Sequence, residues 1–169
     1  MCLATTYFAA LRGLLGRMSK LTATGGCRCA ECRYILDGVP FVAYGCHCKE
    51  CQKLTGSAFL MCMQIPAESL KLISGSPSIS QRKADSGNIL QTYFCGRCSS
   101  TLFAENSARP CVRTLHIGTL DEPDRVEVKA HIWVKNKLPW VQLRSQDRVY
   151  QEAGDWIQDY ATDPERYGK

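Results

Sequence analysis

Seven of the 11 cysteines in this chain stand one or two residues apart, and this spacing constrains the fold more than any other feature of the sequence. The seven form three groups: Cys27-Arg28-Cys29, Cys46-His47-Cys48-Lys49-Glu50-Cys51 and Cys95-Gly96-Arg97-Cys98. Neighbouring cysteines suit the chelation of one metal ion better than disulfide bridges between distant strands. The odd number of cysteines and the length of 169 residues also argue against a small disulfide scaffold. We therefore predict a metal-binding protein.

The spacing within each group indicates how the ligands divide. Residues i and i+2 of a strand project to the same face, so a C-x-C pair can bind one ion. Gly96 eases the turn that C-x-x-C requires. Zinc prefers four tetrahedral ligands, so seven cysteines predict two zinc ions per chain. The closed, structural site has four ligands: Cys27, Cys29, Cys95 and Cys98. The second site has one open position, as catalytic zinc sites do, and three ligands: Cys46, Cys48 and Cys51.

The three-cysteine group also allows a closed second site that a distant residue completes. Four residues are candidates for that fourth ligand: Cys62, Cys111, His116 and His131. His47 is a poor candidate, because on a strand it would point away from its two cysteine neighbours. The cysteines outside the three groups are predicted to be small buried hydrophobic residues or parts of a tail: Cys2, Cys32, Cys62 and Cys111.

The remaining sequence is typical of one mainly β domain. Its composition, with 45% hydrophobic and 22% charged residues, is that of an ordinary globular protein. The alternation over residues 32–37 indicates a half-buried strand. Further strands are predicted at residues 41–44, 59–65, 89–94, 112–117 and 126–134. Short helices are predicted after Cys48 and over residues 154–161.

Three segments are predicted along the chain: an extension (residues 1–19), a zinc-binding domain (20–145) and a C-terminal tail with a short helix (146–169). The first 20 residues hold Arg12, Arg17 and Lys20 and no acidic residue. Such a basic, amphipathic start fits a mitochondrial presequence, and a disordered tail is the simpler interpretation. We predict a cytoplasmic protein, with a mitochondrial one as the alternative. No membrane partner is predicted, because no apolar run approaches the roughly 20 residues of a membrane span.

Ordered motifs extend over roughly residues 20–145. They are Gly25-Gly26-Cys27-Arg28-Cys29, Arg33-Tyr34, Cys46-His47-Cys48-Lys49-Glu50-Cys51-Gln52-Lys53-Leu54-Thr55-Gly56-Ser57-Ala58-Phe59, Phe94-Cys95-Gly96-Arg97-Cys98 with Thr101-Leu102-Phe103, and His131-Ile132-Trp133 with Lys137-Leu138-Pro139-Trp140. Together these motifs closely resemble the glutathione-dependent formaldehyde-activating enzyme family, which also includes centromere protein V.

The resemblance implies a β-tent fold, which is a set of antiparallel sheets pinned by a structural zinc ion. It implies the same division of the cysteines into four structural ligands and three ligands of a catalytic zinc. It also implies the family's reaction, in which glutathione adds to formaldehyde to give S-(hydroxymethyl)glutathione. The chain departs from the family at Cys32, where a small or aliphatic residue is more usual, and in its N-terminal extension.

We predict a zinc-dependent carbon–sulfur lyase that acts on adducts of an aldehyde with glutathione or a related small thiol. The catalytic residues are then the three ligands of the open zinc. Candidates to offset its negative charge, or to hold the carboxylates of glutathione, are His47, Lys49, Lys53 and Arg97, although a solvated surface role is the simpler interpretation of each. The rival hypothesis is a non-catalytic zinc module that binds protein or nucleic acid. The net charge of +5 is mild, and the basic residues are scattered without an arginine-rich run, which argues against nucleic acid.

Overall fold

A computed structural model describes residues 18–84 and 87–154. This part of the chain contains 11 strands and one α-helix, so the predicted mainly β fold class is confirmed. The helix α1 (Lys49–Thr55) follows Cys48, as predicted. The strands are β1 (Leu21–Gly26), β2 (Arg33–Gly38), β3 (Val42–Cys46), β4 (Leu60–Pro66), β5 (Leu70–Ser74), β6 (Ser78–Lys83), β7 (Ile89–Phe94), β8 (Thr101–Asn106), β9 (Val112–His116), β10 (Ala130–Ile132) and β11 (Arg148–Val149).

Some predicted segments lie outside the described residues. They are residues 1–17 of the predicted extension and residues 155–161 of the predicted C-terminal helix. None of the described helices has the length and hydrophobicity that a membrane-spanning segment requires.

The strands form two sheets. The smaller sheet is antiparallel and has the order β1-β2-β5. The larger sheet has the order β11-β10-β3-β4-β9-β8-β7-β6. It is antiparallel from β3 to β6, whereas β10 runs parallel to both β3 and β11, so this sheet is mixed. Because β11 belongs to the sheet, the folded part of the chain continues beyond residue 145, where the sequence predicted the start of a tail.

The strands follow hydrophobic alternation where one face is buried. In β2, Tyr34 and Leu36 are fully buried while Asp37 is exposed, as the alternation predicted. The other five predicted strands correspond to β3, β4, β7, β9 and β10. However, β10 is much shorter than the predicted 126–134. It ends after Ile132 because Trp133 has a left-handed backbone conformation, with φ at 58°.

The buried side chains form two cores, which meet at β3 and β4. The first core lies between the two sheets and includes Leu36, Ala43 and Met63. The second core lies on the other face of the larger sheet and includes Tyr44 and Leu60. Because successive residues of a strand point to opposite faces, β3 contributes to both cores in alternation. Each core contains one of the cysteine groups described below.

A loop after β9 packs against the smaller sheet through Tyr34. The hydroxyl of Thr119 donates to the carbonyl of His116 (2.8 Å), so the Tyr34 hydroxyl is the donor to Thr119 Oγ1, also at 2.8 Å. Arg33 forms an ion pair with Asp121 in the same loop, with Nη1 2.8 Å from Oδ1. Gly25 faces this contact, because it pairs with Tyr34 across the β1–β2 hairpin.

Substitution of Gly25 by alanine should therefore destabilise the protein. A Cβ atom at this position would lie 2.3 Å from Tyr34 Oη and 2.5 Å from the carbonyl oxygen of Thr119. We expect a loss of about 1–3 kcal/mol in the free energy of unfolding, as for other overpacked sites. Urea denaturation would measure it. Gly118→Ala is the control, since a Cβ there meets no atom within 4 Å. Equal stability of the two variants would contradict this description of the contact.

Candidate metal centres

Four cysteines from two distant loops meet where the smaller sheet approaches the larger one. Cys27 and Cys29 lie in the loop between β1 and β2, and Cys95 and Cys98 lie in the turn between β7 and β8. Their sulfur atoms all lie within 4.8 Å of one another. This group therefore links the two sheets.

The sulfur separations fit a tetrahedral zinc ion. The Sγ atoms of Cys27 and Cys29 are 3.5 Å apart, and those of Cys29 and Cys95 are 3.8 Å apart. Thiolates at about 2.3 Å from a tetrahedral ion lie roughly 3.8 Å from one another. Disulfide-bonded sulfur atoms would be about 2.05 Å apart. The group of four could thus hold a zinc ion, as the sequence predicted.

The two loops present their cysteines in similar turns. The N–H of Ala30 donates to the carbonyl of Cys27 (3.0 Å), and that of Ser99 donates to the carbonyl of Cys95 (2.8 Å). Ala30 and Ser99 both have left-handed backbone conformations, with φ at 61° and 62°. The N–H of Cys32 also donates to the sulfur of Cys27 (3.2 Å), a contact that favours a thiolate.

Hydrogen bonds lower the pKa of two of these thiols. The hydroxyl of Ser100, 3.3 Å from the Cys98 sulfur, is the main reason that the pKa of Cys98 is lowered to about 5. Burial raises the pKa of Cys27, but the hydrogen bonds from Cys32 and from the neighbouring thiols outweigh burial and lower this pKa overall. A backbone hydrogen bond at Glu31 lowers the pKa of Cys29, but burial and the neighbouring thiols raise it to about 11. The thiolate form is thus favoured at two members of the group, Cys27 and Cys98.

The second group stands at the junction of a strand and a helix. Cys46 is the last residue of β3, Cys48 is the N-cap of α1, and Cys51 lies in the first turn of α1. Their sulfur atoms also lie within 4.8 Å of one another. Cys48 accepts a hydrogen bond from the N–H of Cys51 (3.4 Å), as an N-cap side chain commonly does. Strand end and helix start thus bring three thiols to one point.

Hydrogen bonds within this group favour the thiolate form of Cys48. Hydrogen bonds from the thiols of Cys46 and Cys51 lower the pKa of Cys48, and the N–H groups of Cys51 and Glu50 lower it further. The contact with Cys48 raises the pKa of Cys46, although the contact with Cys51 lowers it, and the contacts with Cys46 and Cys48 raise the pKa of Cys51. Metal binding at this group would release the protons that its thiols still carry.

No fourth side chain of a metal-binding type joins this group in the part of the chain that the structure describes. The four candidates for completing a closed site are buried, but none of them belongs to this group: Cys62, Cys111, His116 and His131. Cys32 and Cys62 are buried free thiols, as expected for small hydrophobic residues. Cys111 is also buried but forms a disulfide bond, which the sequence did not predict and which excludes it as a thiolate ligand. Cys2 lies outside the described residues. The second group is therefore a three-ligand set among the described residues.

His47 points away from its two cysteine neighbours, as predicted, and is fully buried. Its Nε2 lies 3.0 Å from Nδ1 of His131, and its ring centroid lies 4.9 Å from that of Phe59, with the two rings tilted by 35°. Gln52 of α1 donates to the backbone carbonyl of His47 (2.8 Å) and to that of Asn136 (2.9 Å). Burial, followed by the nearby His131, lowers the pKa of His47 to about 4, so this side chain is neutral near pH 7.

The other charged candidates lie in different places. Lys49 and Lys53 are exposed on α1, beside the three cysteines. Lys53 is only loosely paired with Glu50, with 3.9 Å between Nζ and Oε1. Arg97 belongs to the four-cysteine loop instead, where it lies 3.7 Å from Glu31. Of the four candidates that the sequence suggested, only the two lysines are therefore exposed beside the three-cysteine group.

A cavity of about 420 Å³ opens on the other face of the same strands. Met61 and His131 line it, together with apolar residues such as Phe59. Cys46 pairs with Leu60 and Ile132, whose side chains point away from those of Met61 and His131. The sheet thus separates this cavity from the three-cysteine group.

Two residues contact this region in a way that the sequence did not predict. His131 contacts His47, although the sequence suggested it only as a fourth ligand. Asp147 lies 3.5 Å from Nε2 of His131, and its side chain is almost completely buried. His131 belongs to a family-like motif that could have indicated a role. Asp147 belongs to no recognised motif, and it lies in the segment that the sequence analysis interpreted as a tail.

The sequence profile of the glutathione-dependent formaldehyde-activating enzyme family matches residues 22–136, a span that contains both cysteine groups. No curated protein sequence matches the chain. Among solved structures, the crystal structure of a Rhodobacter sphaeroides protein resembles it with a TM-score of 0.48 and 15% sequence identity. That match covers 62% of this chain and 96% of the other.

Proposed function

Because the chain belongs to the glutathione-dependent formaldehyde-activating enzyme family, we propose that it is a zinc-dependent carbon–sulfur lyase. Its substrates are adducts of an aldehyde with glutathione or a related small thiol. The observation that carries this proposal is the three-cysteine group at the start of α1, which no fourth described residue completes. Three protein ligands and one open position are characteristic of catalytic zinc.

Cys46, Cys48 and Cys51 would hold the catalytic ion, and the other four grouped cysteines would hold a structural ion. Zinc in the open site would supply a position at which a substrate thiol is held as its reactive thiolate, or an aldehyde oxygen is polarised. Three thiolates outnumber the two positive charges of the ion, which weakens it as a Lewis acid. This balance favours the first of the two roles.

The reaction needs no oxidant or reductant. In the addition direction, the thiol sulfur bonds to the carbonyl carbon, and the carbonyl π electrons move to the oxygen. The proton lost by the thiol ends on that oxygen, which gives the hydroxymethyl thioether. In the reverse direction the carbon–sulfur bond breaks and the same proton returns to the sulfur.

The exposed lysines of α1 are the chain's own groups that suit an anionic substrate. Lys49 contacts Gln52 on the helix surface, with 3.3 Å between Nζ and Oε1, and Lys53 extends into solvent one turn later. Either ammonium group can attract the carboxylates of a glutathione-like thiol by long-range electrostatics. His47 is buried and neutral, so it does not offset the negative charge of the site.

An adduct assay with matched serine variants tests the proposal. The wild-type protein should accelerate formation or breakdown of S-(hydroxymethyl)glutathione, or of a similar adduct, over the buffer rate. Cys48→Ser should remove this acceleration, because it removes a ligand of the open site. Cys62→Ser makes the same chemical change at a buried cysteine outside the group and should retain most of the acceleration.

The outcomes separate the hypotheses. Loss of acceleration in both variants would indicate general damage to the fold rather than chemistry at Cys48. No acceleration across a panel of thiols and aldehydes, by protein that carries two zinc ions, would favour the binding module over the enzyme.

A further inference from the structure

A series of buried polar side chains ends at His47, the residue between the proposed zinc ligands Cys46 and Cys48. His47 Nε2 is 3.0 Å from His131 Nδ1, and His131 Nε2 is 3.5 Å from Asp147 Oδ2. Asp147 is in turn 2.8 Å from Nη2 of Arg144. The side chains of His47, His131 and Asp147 are all more than nine-tenths buried. None of these four residues is a proposed zinc ligand, so zinc binding does not by itself account for their contacts.

The chemistry of these groups determines which atom donates and which accepts in each contact. Burial raises the pKa of Asp147, but the hydrogen bond and charge of Arg144 outweigh burial and lower it, so the carboxylate is ionised. A carboxylate only accepts, so it favours the N–H of His131 at Nε2, the nitrogen that faces it. A neutral imidazole has one donor and one acceptor, so His131 Nδ1 accepts from the N–H at Nε2 of His47.

The backbone of β3 is adapted to this contact. His131 lies opposite Gly45 in the parallel pairing of β10 with β3. A Cβ atom at position 45 would lie 2.7 Å from His131 Nδ1 and 3.3 Å from a ring carbon of Phe59. The absence of a side chain at Gly45 therefore allows His131 to approach the strand and reach His47.

We propose that His131 is a positioning residue of the three-cysteine site, acting through His47 on the segment that carries Cys46 and Cys48. This inference rests on the proposed function in one respect, namely that the three cysteines hold zinc. Cys46, His47 and Cys48 are consecutive, so a fixed imidazole fixes the peptide groups on both sides of it. Gln52 holds the carbonyl of the same residue (2.8 Å), so both the main chain and the side chain of His47 are restrained.

The expected consequence is a preorganised pair of thiols. A segment that is held in place before the ion binds loses less conformational entropy on binding. Loss of residues that orient metal ligands typically lowers metal affinity by about 10–100-fold. We therefore expect removal of the His131 acceptor to weaken zinc binding at the three-cysteine site by about this factor, without affecting the four-cysteine site.

Two substitutions of His131 separate hydrogen bonding from packing. His131→Phe keeps an aromatic ring but removes the acceptor, whereas His131→Asn places an amide oxygen near the position of Nδ1. Zinc affinity would be measured by competition with a chromophoric chelator, using wild-type protein, His131→Phe and His131→Asn. We expect His131→Phe to hold the more weakly bound zinc ion about 10–100-fold less tightly. His131→Asn should restore most of the affinity, because it restores the acceptor for His47.

A third variant, Gly45→Ala, and an NMR measurement test the contact between His47 and His131 independently. Gly45→Ala should lower the affinity of the same zinc ion, because the added methyl group displaces His131. Nitrogen-15 NMR of the imidazoles in the wild-type protein should show His47 protonated at Nε2 and unprotonated at Nδ1.

Each result has a defined meaning. Two zinc ions in the wild-type protein, with unchanged affinity in His131→Phe, would overturn this inference and leave the proposed function standing. A His47 protonated at Nδ1 would also overturn it, because the hydrogen bond would then run in the other direction. A wild-type protein that binds one zinc ion would overturn the proposed function and this inference together.

Discussion

Replacement of Cys95 by serine should leave the protein unfolded or only partly folded. The four-cysteine group joins the β1–β2 loop to the β7–β8 turn and so links the two sheets. A structural zinc of this kind contributes on the order of 10 kcal/mol to folding, which is comparable with the total stability of a domain. Loss of one thiolate from the group should therefore remove most of this stabilisation and release the smaller sheet from the larger one.

Cys32→Ala is the matched control for this prediction. Cys32 is buried next to the same group but is not one of its four members, so its loss should cost roughly 1 kcal/mol, as for an ordinary core change. Circular dichroism and limited proteolysis would compare the two variants. A cooperative melting transition of Cys95→Ser at the temperature of Cys32→Ala would show that the group does not stabilise the fold.

A mild chelator should abolish activity before it unfolds the protein. The three-cysteine site has one protein ligand fewer, and Cys48 and Cys51 are partly exposed. We therefore expect zinc release in two phases, the first of which removes all acceleration of the adduct reaction while circular dichroism is unchanged. Added zinc should restore the acceleration. The second phase should coincide with loss of structure, because it empties the group that links the sheets.

Cys48→Ser provides the control for the release experiment. This variant should lack the first phase, or show it at far lower chelator concentration, and should retain the second. Release of both ions in one phase, together with unfolding, would contradict the assignment of one catalytic and one structural site.

Local spacing was sufficient to predict which neighbouring cysteines lie close together. C-x-C and C-x-x-C each place two thiols close together whatever the rest of the fold does, so only the pairing of distant groups required further argument. The strands with one buried face, such as β2, were also predictable, because hydrophobic alternation records that burial in the sequence. Strand β6 was not, because all six of its residues are exposed at the edge of the sheet and the alternation has no buried face to follow.

The surroundings of the three-cysteine group were not predictable in the same way. His47 and His131 are 84 residues apart, and no periodicity relates positions at that distance. The end of β10 depends on the left-handed conformation of Trp133, a residue type for which sequence gives no reason to expect it. Asp147 reaches His131 only because a two-residue strand returns to the sheet beside β10. These contacts are products of the assembled fold.

The contact between Cys29 and Cys95 also has a consequence for the order of folding, since it joins residues 66 positions apart. Closing a flexible loop of that length costs roughly 4 kcal/mol in chain entropy, before any constant term. Each cysteine pair, however, can bind an ion while the remainder of the chain is still disordered, and an ion held by one pair can then capture the other. Zinc supplied at the start of refolding should therefore bring the two sheets together faster than zinc added after the strands have formed.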